Sequence, residues 1–242
     1  DGKAYPETRY YTTVAAIVGA PSHTVPARTI AAIPQPVTSF GAAIAGDGLY
    51  VYGGHTGHAH SYSLEEQSNT LSRLDLSSRE WQTVSQGPHL QGLALVAHGG
   101  KLYRIGGFTA KNAEGAEHSL WSQAGVACFD PAEKSWIDLP DLPEPRSSHD
   151  AAVVGDAIYV VGGWALQGDA DNQWHTTAWK LDLSRQPLEW QRLPSPPFQR
   201  RALSLAAHQG KLFVIGGMQP AGGPTRQVDV FDPATSEWSA GP

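Results

Sequence analysis

A chain of 242 residues with 17% charged residues, 26 Gly, 18 Pro and 8 Trp is suited to many short strands and tight turns and excludes long helices. Its net charge of −6 and the absence of a Lys/Arg run argue against a nucleic-acid partner, whose phosphates call for clustered cations. The single cysteine, Cys128, excludes an internal disulfide, and no stretch reaches the roughly 18 apolar residues of a membrane span.

In chain order, residues 1–26 show no repeat and read as an N-terminal extension. Residues 27–36 precede the first unit and end in a Pro-x-Pro exit like those of later units, which predicts a closing fourth strand. From there a Gly pair follows a short apolar run four times: Leu49–Gly54, Leu102–Gly107, Ile158–Gly163 and Leu212–Gly217. The pairs begin at Gly53, Gly106, Gly162 and Gly216, a nearly even period that marks a repeat architecture. Before each pair comes a run of small and aliphatic residues: Phe40–Ala45, Leu93–Ala97, Ala151–Val154 and Leu203–Ala207. A Gly- or Asp-containing turn joins the two runs, the pattern of a β-hairpin. After each pair, an Asp and then a Trp recur as Asp75 and Trp81, Asp130 and Trp136, Asp182 and Trp190, and Asp232 and Trp238. Each unit therefore reads as four strands, with units at 37–89, 90–145, 146–199 and 200–242, the last strand of the fourth incomplete. A unit of this kind cannot bury both faces alone and must stack on its copies.

The period, the Gly pair after a strand and the downstream Trp resemble the kelch repeat of β-propellers. The resemblance implies an all-β, kelch-type β-propeller with four four-stranded blades visible, part of a larger ring of about six. The competing reading has four blades closing alone, with Arg28–Ile33 as the lock. The Pro-Arg-x-x-His signature of some kelch repeats occurs intact once, as Pro145-Arg146-Ser147-Ser148-His149. Arg200 precedes Gly216 by the same offset that separates Arg146 from Gly162, but Leu203 replaces the His. Val37 and Leu90 take the Arg place in the first two units. Similarity to bacterial stand-alone kelch proteins implies a periplasmic or extracellular setting, with the cytoplasm left open.

By the same resemblance, the loops after each Gly pair and the inter-blade loops share one face that binds ligands or partners. Those loops vary most in length, running from Gly54 to Asp75, Gly107 to Asp130, Gly163 to Asp182 and Gly217 to Asp232. Ligand-binding candidates are Arg146 and Arg200, suited to a carboxylate or phosphate, with Trp121, Trp164, Trp174 and His175. His55, His58 and His60 form H-x-x-H-x-H, a weak metal candidate weighed against a polar loop whose imidazoles bond backbone. No nucleophile elbow, zinc-protease motif or phosphate loop is present, and no cofactor is expected. The first reading is thus a non-catalytic binding or scaffold module for a protein or glycan. The alternatives are a carbohydrate-active enzyme of the sialic-acid mutarotase type, with Arg146, His149, Arg200 and Glu144 as weak catalytic candidates, and a metal-binding propeller. A galactose-oxidase-like copper site is disfavoured because Cys128 lies in an apolar strand run.

Overall fold

The computed structural model describes residues 31–241, so the extension and the first part of the expected closing strand lie outside the described residues. Each repeat forms one antiparallel four-stranded sheet. Blade 1 holds β1 (Gly41–Ala45), β2 (Gly48–Tyr52), β3 (Thr70–Asp75) and β4 (Trp81–Gln86). Blade 2 holds β5 (Ala94–His98), β6 (Lys101–Ile105), β9 (Val126–Asp130) and β10 (Ser135–Leu139). Blade 3 holds β11 (Asp150–Val154), β12 (Ala157–Val161), β15 (Ala178–Asp182) and β16 (Trp190–Arg192). Blade 4 holds β17 (Ser204–His208), β18 (Lys211–Ile215), β19 (Val228–Asp232) and β20 (Glu237–Ala240). The last strand of blade 4 is therefore present, correcting the expectation of an incomplete one: the short segment around Trp238 suffices to pair with β19. Four further strands, β7 (Phe108–Ala110), β8 (Leu120–Ser122), β13 (Trp164–Gln167) and β14 (Ala170–Trp174), arise from the inserts after the Gly pairs of blades 2 and 3.

The landmarks have local physical causes. The inner hairpins close on tight turns such as Gly99-Gly100, both at positive φ (58° and 78°), which suits the twist of the flanking strands. The recurring Asp makes a side-chain turn, Asp75 Oδ1 accepting the N–H groups of Ser77 and Ser78 at 2.9 and 2.8 Å. The Trp at the head of the fourth strand ties its blade to the one before. Trp190 Nε1 donates to the Pro140 carbonyl and Trp238 Nε1 to that of Pro194, both at 2.9 Å. Trp81 donates in the same way to the Ala31 carbonyl at 2.8 Å, so Ala31 occupies the place that ends a preceding fourth strand.

Apolar clusters fill each blade–blade interface. Tyr52, Leu71, Leu93, Leu95, Leu102 and Phe129 join blades 1 and 2, while Ile105, Val126, Ile158, Val160 and Leu181 join 2 and 3. Tyr159, Val161, Leu205, Leu212 and Phe231 join 3 and 4. The innermost strands, β1, β5, β11 and β17, lie side by side in that order. A backbone relay runs beside them: Ala202 N–H donates to Ser148, Ser148 to Gly92 and Gly92 to Ser39, each at 2.7 Å. All four relay residues have positive φ, between 49° and 60°. On the outward faces of blades 1 and 4, Ile44 is 62% and Ile215 46% exposed. Ile44 holds the register position of Ala97 and Val153, which pack on a preceding blade.

The Gly pair makes the junction between blades. Gly106 and Gly107 have φ of 56° and 100°, and Gly107 N–H donates to the Arg146 carbonyl of the next blade at 2.8 Å. A Cβ on Gly106 would lie 2.5 Å from that carbonyl oxygen. Gly106→Ala combines left-handed strain with overpacking and is expected to cost about 3 kcal/mol. Gly155→Ala, at φ 59° with nothing within 4 Å, meets the strain alone, for about 1 kcal/mol. Urea unfolding of the two variants beside the wild type measures the difference.

Candidate functional site

The inserts of blades 2 and 3, expected as loops, form a fifth sheet in the order β7 (Phe108–Ala110), β8 (Leu120–Ser122), β13 (Trp164–Gln167), β14 (Ala170–Trp174). β8 belongs to blade 2 and β13 to blade 3, so the sheet bridges the two blades. Ser122 Oγ, 2.7 Å from Ser147 Oγ, accepts the Leu166 N–H at 2.9 Å, and Gly168 N–H donates to the Leu120 carbonyl at 2.9 Å. The insert of blade 1 docks on it from the side. Gln67 clamps Ala110 with a donated and an accepted bond, both 2.9 Å, and Asn112 Nδ2 donates to the Tyr62 carbonyl at 2.6 Å.

Four sequence candidates meet in one buried cluster between blades 2 and 3. The Arg146 guanidinium donates to the carbonyls of Gly162 (2.6 Å) and Thr177 (3.0 Å), the Thr177 hydroxyl (2.5 Å) and Glu144 Oε2 (3.0 Å). Glu144 Oε2 also accepts from the Thr177 hydroxyl and the Trp179 indole at 2.5 and 3.1 Å. His175 Nε2 lies 3.0 Å from the Pro145 carbonyl, and its Nδ1 is 3.7 Å from Glu144 Oε2. Burial pushes the Arg146 pKa down to about 10. For Glu144, burial alone would raise the carboxyl; the Thr177 and Trp179 donors with His175 and Arg146 outweigh it and hold it below its ordinary value. Burial and then the Arg146 charge lower His175 to about 4. His149 falls to about 3 for the same two reasons, with His175 adding to them, and neither of its ring nitrogens has a partner of ordinary geometry. Arg200 repeats the Arg146 pattern. It donates to the Gly216 and Gln227 carbonyls at 3.0 Å each and to Asp229 Oδ2. Both arginines are buried, and their terminal guanidinium nitrogens are taken up by backbone carbonyls and side chains of the scaffold.

The other candidates separate. His55 is buried, with Nδ1 3.0 Å from the Glu66 carbonyl and Nε2 2.9 Å from that of His58, so both ring nitrogens face backbone carbonyls of its own loop. No group of three His, Cys, Asp or Glu side chains among the described residues is placed to hold a metal. The indoles carry cations. Lys111 Nζ lies 4.5 Å from the Trp121 ring centre, and Trp121 is 37% exposed. Trp164 and Trp174, opposite each other on β13 and β14, pack edge to face at 5.5 Å. The Arg201 guanidinium sits 4.0 Å from the Trp164 ring and 5.6 Å from that of Trp174. Spacing does not single out Arg201, because the motif offset falls on Arg200; its only signal is that it follows Arg200 in an inter-blade segment.

The pattern described as the KLHDC2/KLHL20/DRC7 Kelch-repeats domain matches residues 21–217, and the Kelch motif matches residues 199–242. The chain belongs to the kelch-repeat family. Among kelch relatives, Kelch-like protein terF of Aspergillus terreus is 28% identical over 81% of this chain and 42% of its own length. Alpha-scruin of Limulus polyphemus is 29% identical over 71% of this chain and 18% of its own. N-(sulfonatooxy)prop-2-enimidothioate sulfolyase of Thlaspi arvense is 27% identical over 86% of this chain and 62% of its own. The chain thus spans less than two thirds of each of these three. The solved structure of YjhT superposes with a TM-score of 0.68 at 18% identity, covering 88% of this chain and 67% of that one, which establishes the propeller fold.

In this kelch scaffold His149 holds the place that Phe40, Leu93 and Leu203 fill in the other blades. Its folded pKa of about 3 and that of His175, about 4, lie below the ordinary 6.5. The unfolded chain therefore binds more protons below 6.5, so the stability from keeping both rings neutral is full above that value and is lost as the pH falls toward 4 and 3. His149→Leu is expected to flatten this acid loss, read as a smaller fall in urea midpoint between about pH 7 and pH 4.5 than in the wild type.

Proposed function

We propose that this kelch propeller is a non-catalytic binding module that presents its loop-side face to a protein or glycan partner. The sheet shared by blades 2 and 3 carries this reading. It turns two variable inserts into one braced platform, with exposed Trp121 on β8 and exposed Leu64 in the adjoining insert of blade 1. Exposed large apolar groups on a rigid support suit recognition. The polar cluster of Glu144, Arg146 and His175 supports the same reading, since its bonds go to neighbouring protein groups.

Relationship to the sulfolyase favours a second reading, a kelch enzyme, whether that lyase type or a carbohydrate-active one. Glu144, whose side chain is 32% exposed, would then work with His175 as acid and base. Turnover of an offered anionic or sugar substrate that is lost in Glu144→Gln, with folding retained, would favour it over pure binding.

A glycan array and a displayed-peptide library probed with the wild type and with Trp121→Ala test the module reading. Ligands retained by the wild type are expected to weaken about tenfold or more in the variant, while its Tm stays within about 2 °C. Undiminished capture of every ligand by Trp121→Ala would remove the fifth sheet from the reading.

A further inference from the structure

Arg200 and Arg201 are neighbours in sequence and make opposite use of the same side chain. Arg200 is buried and spends its donors on the Gly216 and Gln227 carbonyls and on Asp229. Arg201 rests on Trp164 and Trp174; its Nε, like that of Arg200, is buried without a partner, but no acidic side chain among the described residues lies within ion-pair distance of Arg201. Burial holds its pKa below the ordinary value, and the Tyr62 phenol is near enough to act on it. A cation that has lost part of its hydration and gained only a π contact keeps most of its capacity to bind an anion.

We propose that Arg201 is an anion-binding centre on the loop-side face, taking a carboxylate along the edge of the guanidinium that its indole shelf leaves free. The inference rests on the module reading above and names the chemistry its ligand must carry. Stacking uses the face of the guanidinium, whereas a carboxylate docks in its plane through two parallel N–H···O bonds, so the shelf orients the fork without competing for it. The Trp164 Nε1 on that shelf is also buried and unpaired. Arg201 stands one place nearer its Gly pair than Arg200, the station held by Thr38, Gln91 and Ser147 in blades 1 to 3. Each of the four is bridged to the residue just past a Gly pair: Thr38 to His55, Gln91 to Phe108, Ser147 to Trp164 and Arg201 to Met218. All four stations are polar, and the Gln91 carboxamide has both its donor and its acceptor buried and unpaired. The ligand is therefore a carboxylate. It comes either as a free small acid or as an acidic side chain of a protein.

Two probes distinguish the sources: glutarate, and an N-acetylated, C-amidated tri-glutamate peptide, with glutaramide and the tri-glutamine peptide as neutral controls. Binding is followed by calorimetry and by the fluorescence of the indoles under Arg201, in the wild type, Arg201→Lys and Arg201→Met. Saturable, salt-sensitive binding of an acid but not of its neutral control is expected. The affinity should fall at least about tenfold in Arg201→Met, which keeps a flexible side chain on the shelf, and less in Arg201→Lys, which keeps the charge without the fork. Binding of glutarate assigns the site to a free acid, and binding of the peptide alone assigns it to an acidic segment. Failure of both acids to bind, or an Arg201→Met variant that titrates like the wild type, overturns the site. Array ligands that still depend on Trp121 would then leave the module reading standing. An acid that needs Arg201, with no ligand on the array or in the library, would instead retain the site and remove the partner-binding face.

Discussion

The N–H of the second glycine in each of the first three pairs points at a carbonyl that begins the next blade. Gly54 reaches Leu90, Gly107 reaches Arg146 and Gly163 reaches Arg200, each at 2.8 Å. The first glycine lies against the same oxygen, where a Cβ would sit 2.4 to 2.7 Å away. A side chain there would push the blades apart and break the bond, so the spacing of the blades is set by two missing methyl groups. In blades 3 and 4 the junction is doubled. The Arg146 carbonyl accepts from Gly107, and its guanidinium donates to the Gly162 carbonyl; Arg200 stands in the same way between Gly163 and Gly216. One arginine thus links two successive Gly pairs, which explains both its burial and its fixed offset from the second of them. Blade 2 has Leu90 at that station and stiffens its junction differently, with Arg104 stacked on Tyr52 and Trp136 and bonded to the Tyr52 hydroxyl at 3.0 Å.

Rigid junctions make the loop-side face possible. The relay through Ser39, Gly92, Ser148 and Ala202 fixes the inner ends of the blades, and the indoles of the fourth strands fix the outer ends. With both ends held, the inserts of neighbouring blades start from defined positions, and very short strands pair across a blade boundary. Ser122 of blade 2 bonds Ser147 and Leu166 of blade 3 across that boundary. Isolated two-stranded pieces of this length would be marginal; four joined strands on a fixed base are not.

The repeat was legible because its landmarks are local. A Gly pair needs positive φ, an Asp makes its own turn and a Trp brings a large apolar surface, and each leaves its residue type at a fixed place in the sequence. The fifth sheet was less legible because β8 and β13 come from the inserts of different blades and neither is long enough to show alternation. One local signal was available: Gly168-Asp169 between Trp164 and Trp174 is the same dipeptide as the hairpin turns at Gly46-Asp47 and Gly155-Asp156. Arg146 and Arg200 stand out in the sequence, but their role does not, because whether a guanidinium faces a ligand or a carbonyl depends on backbone brought in from other parts of the blade.

Neighbouring side chains on an extended segment point to opposite sides, and that alternation separates Arg200 from Arg201. The station of Arg146 and Arg200 turns toward the junction, where both find carbonyls to bind. The station one step later belongs to the bridge beside the inserts, with Thr38, Gln91, Ser147 and Arg201 in that place. At the first position Arg146 and Arg200 each stand between two Gly pairs. The second carries a different polar residue in each blade. On the proposed reading, a single step along the chain separates the scaffold role of Arg200 from recognition by Arg201.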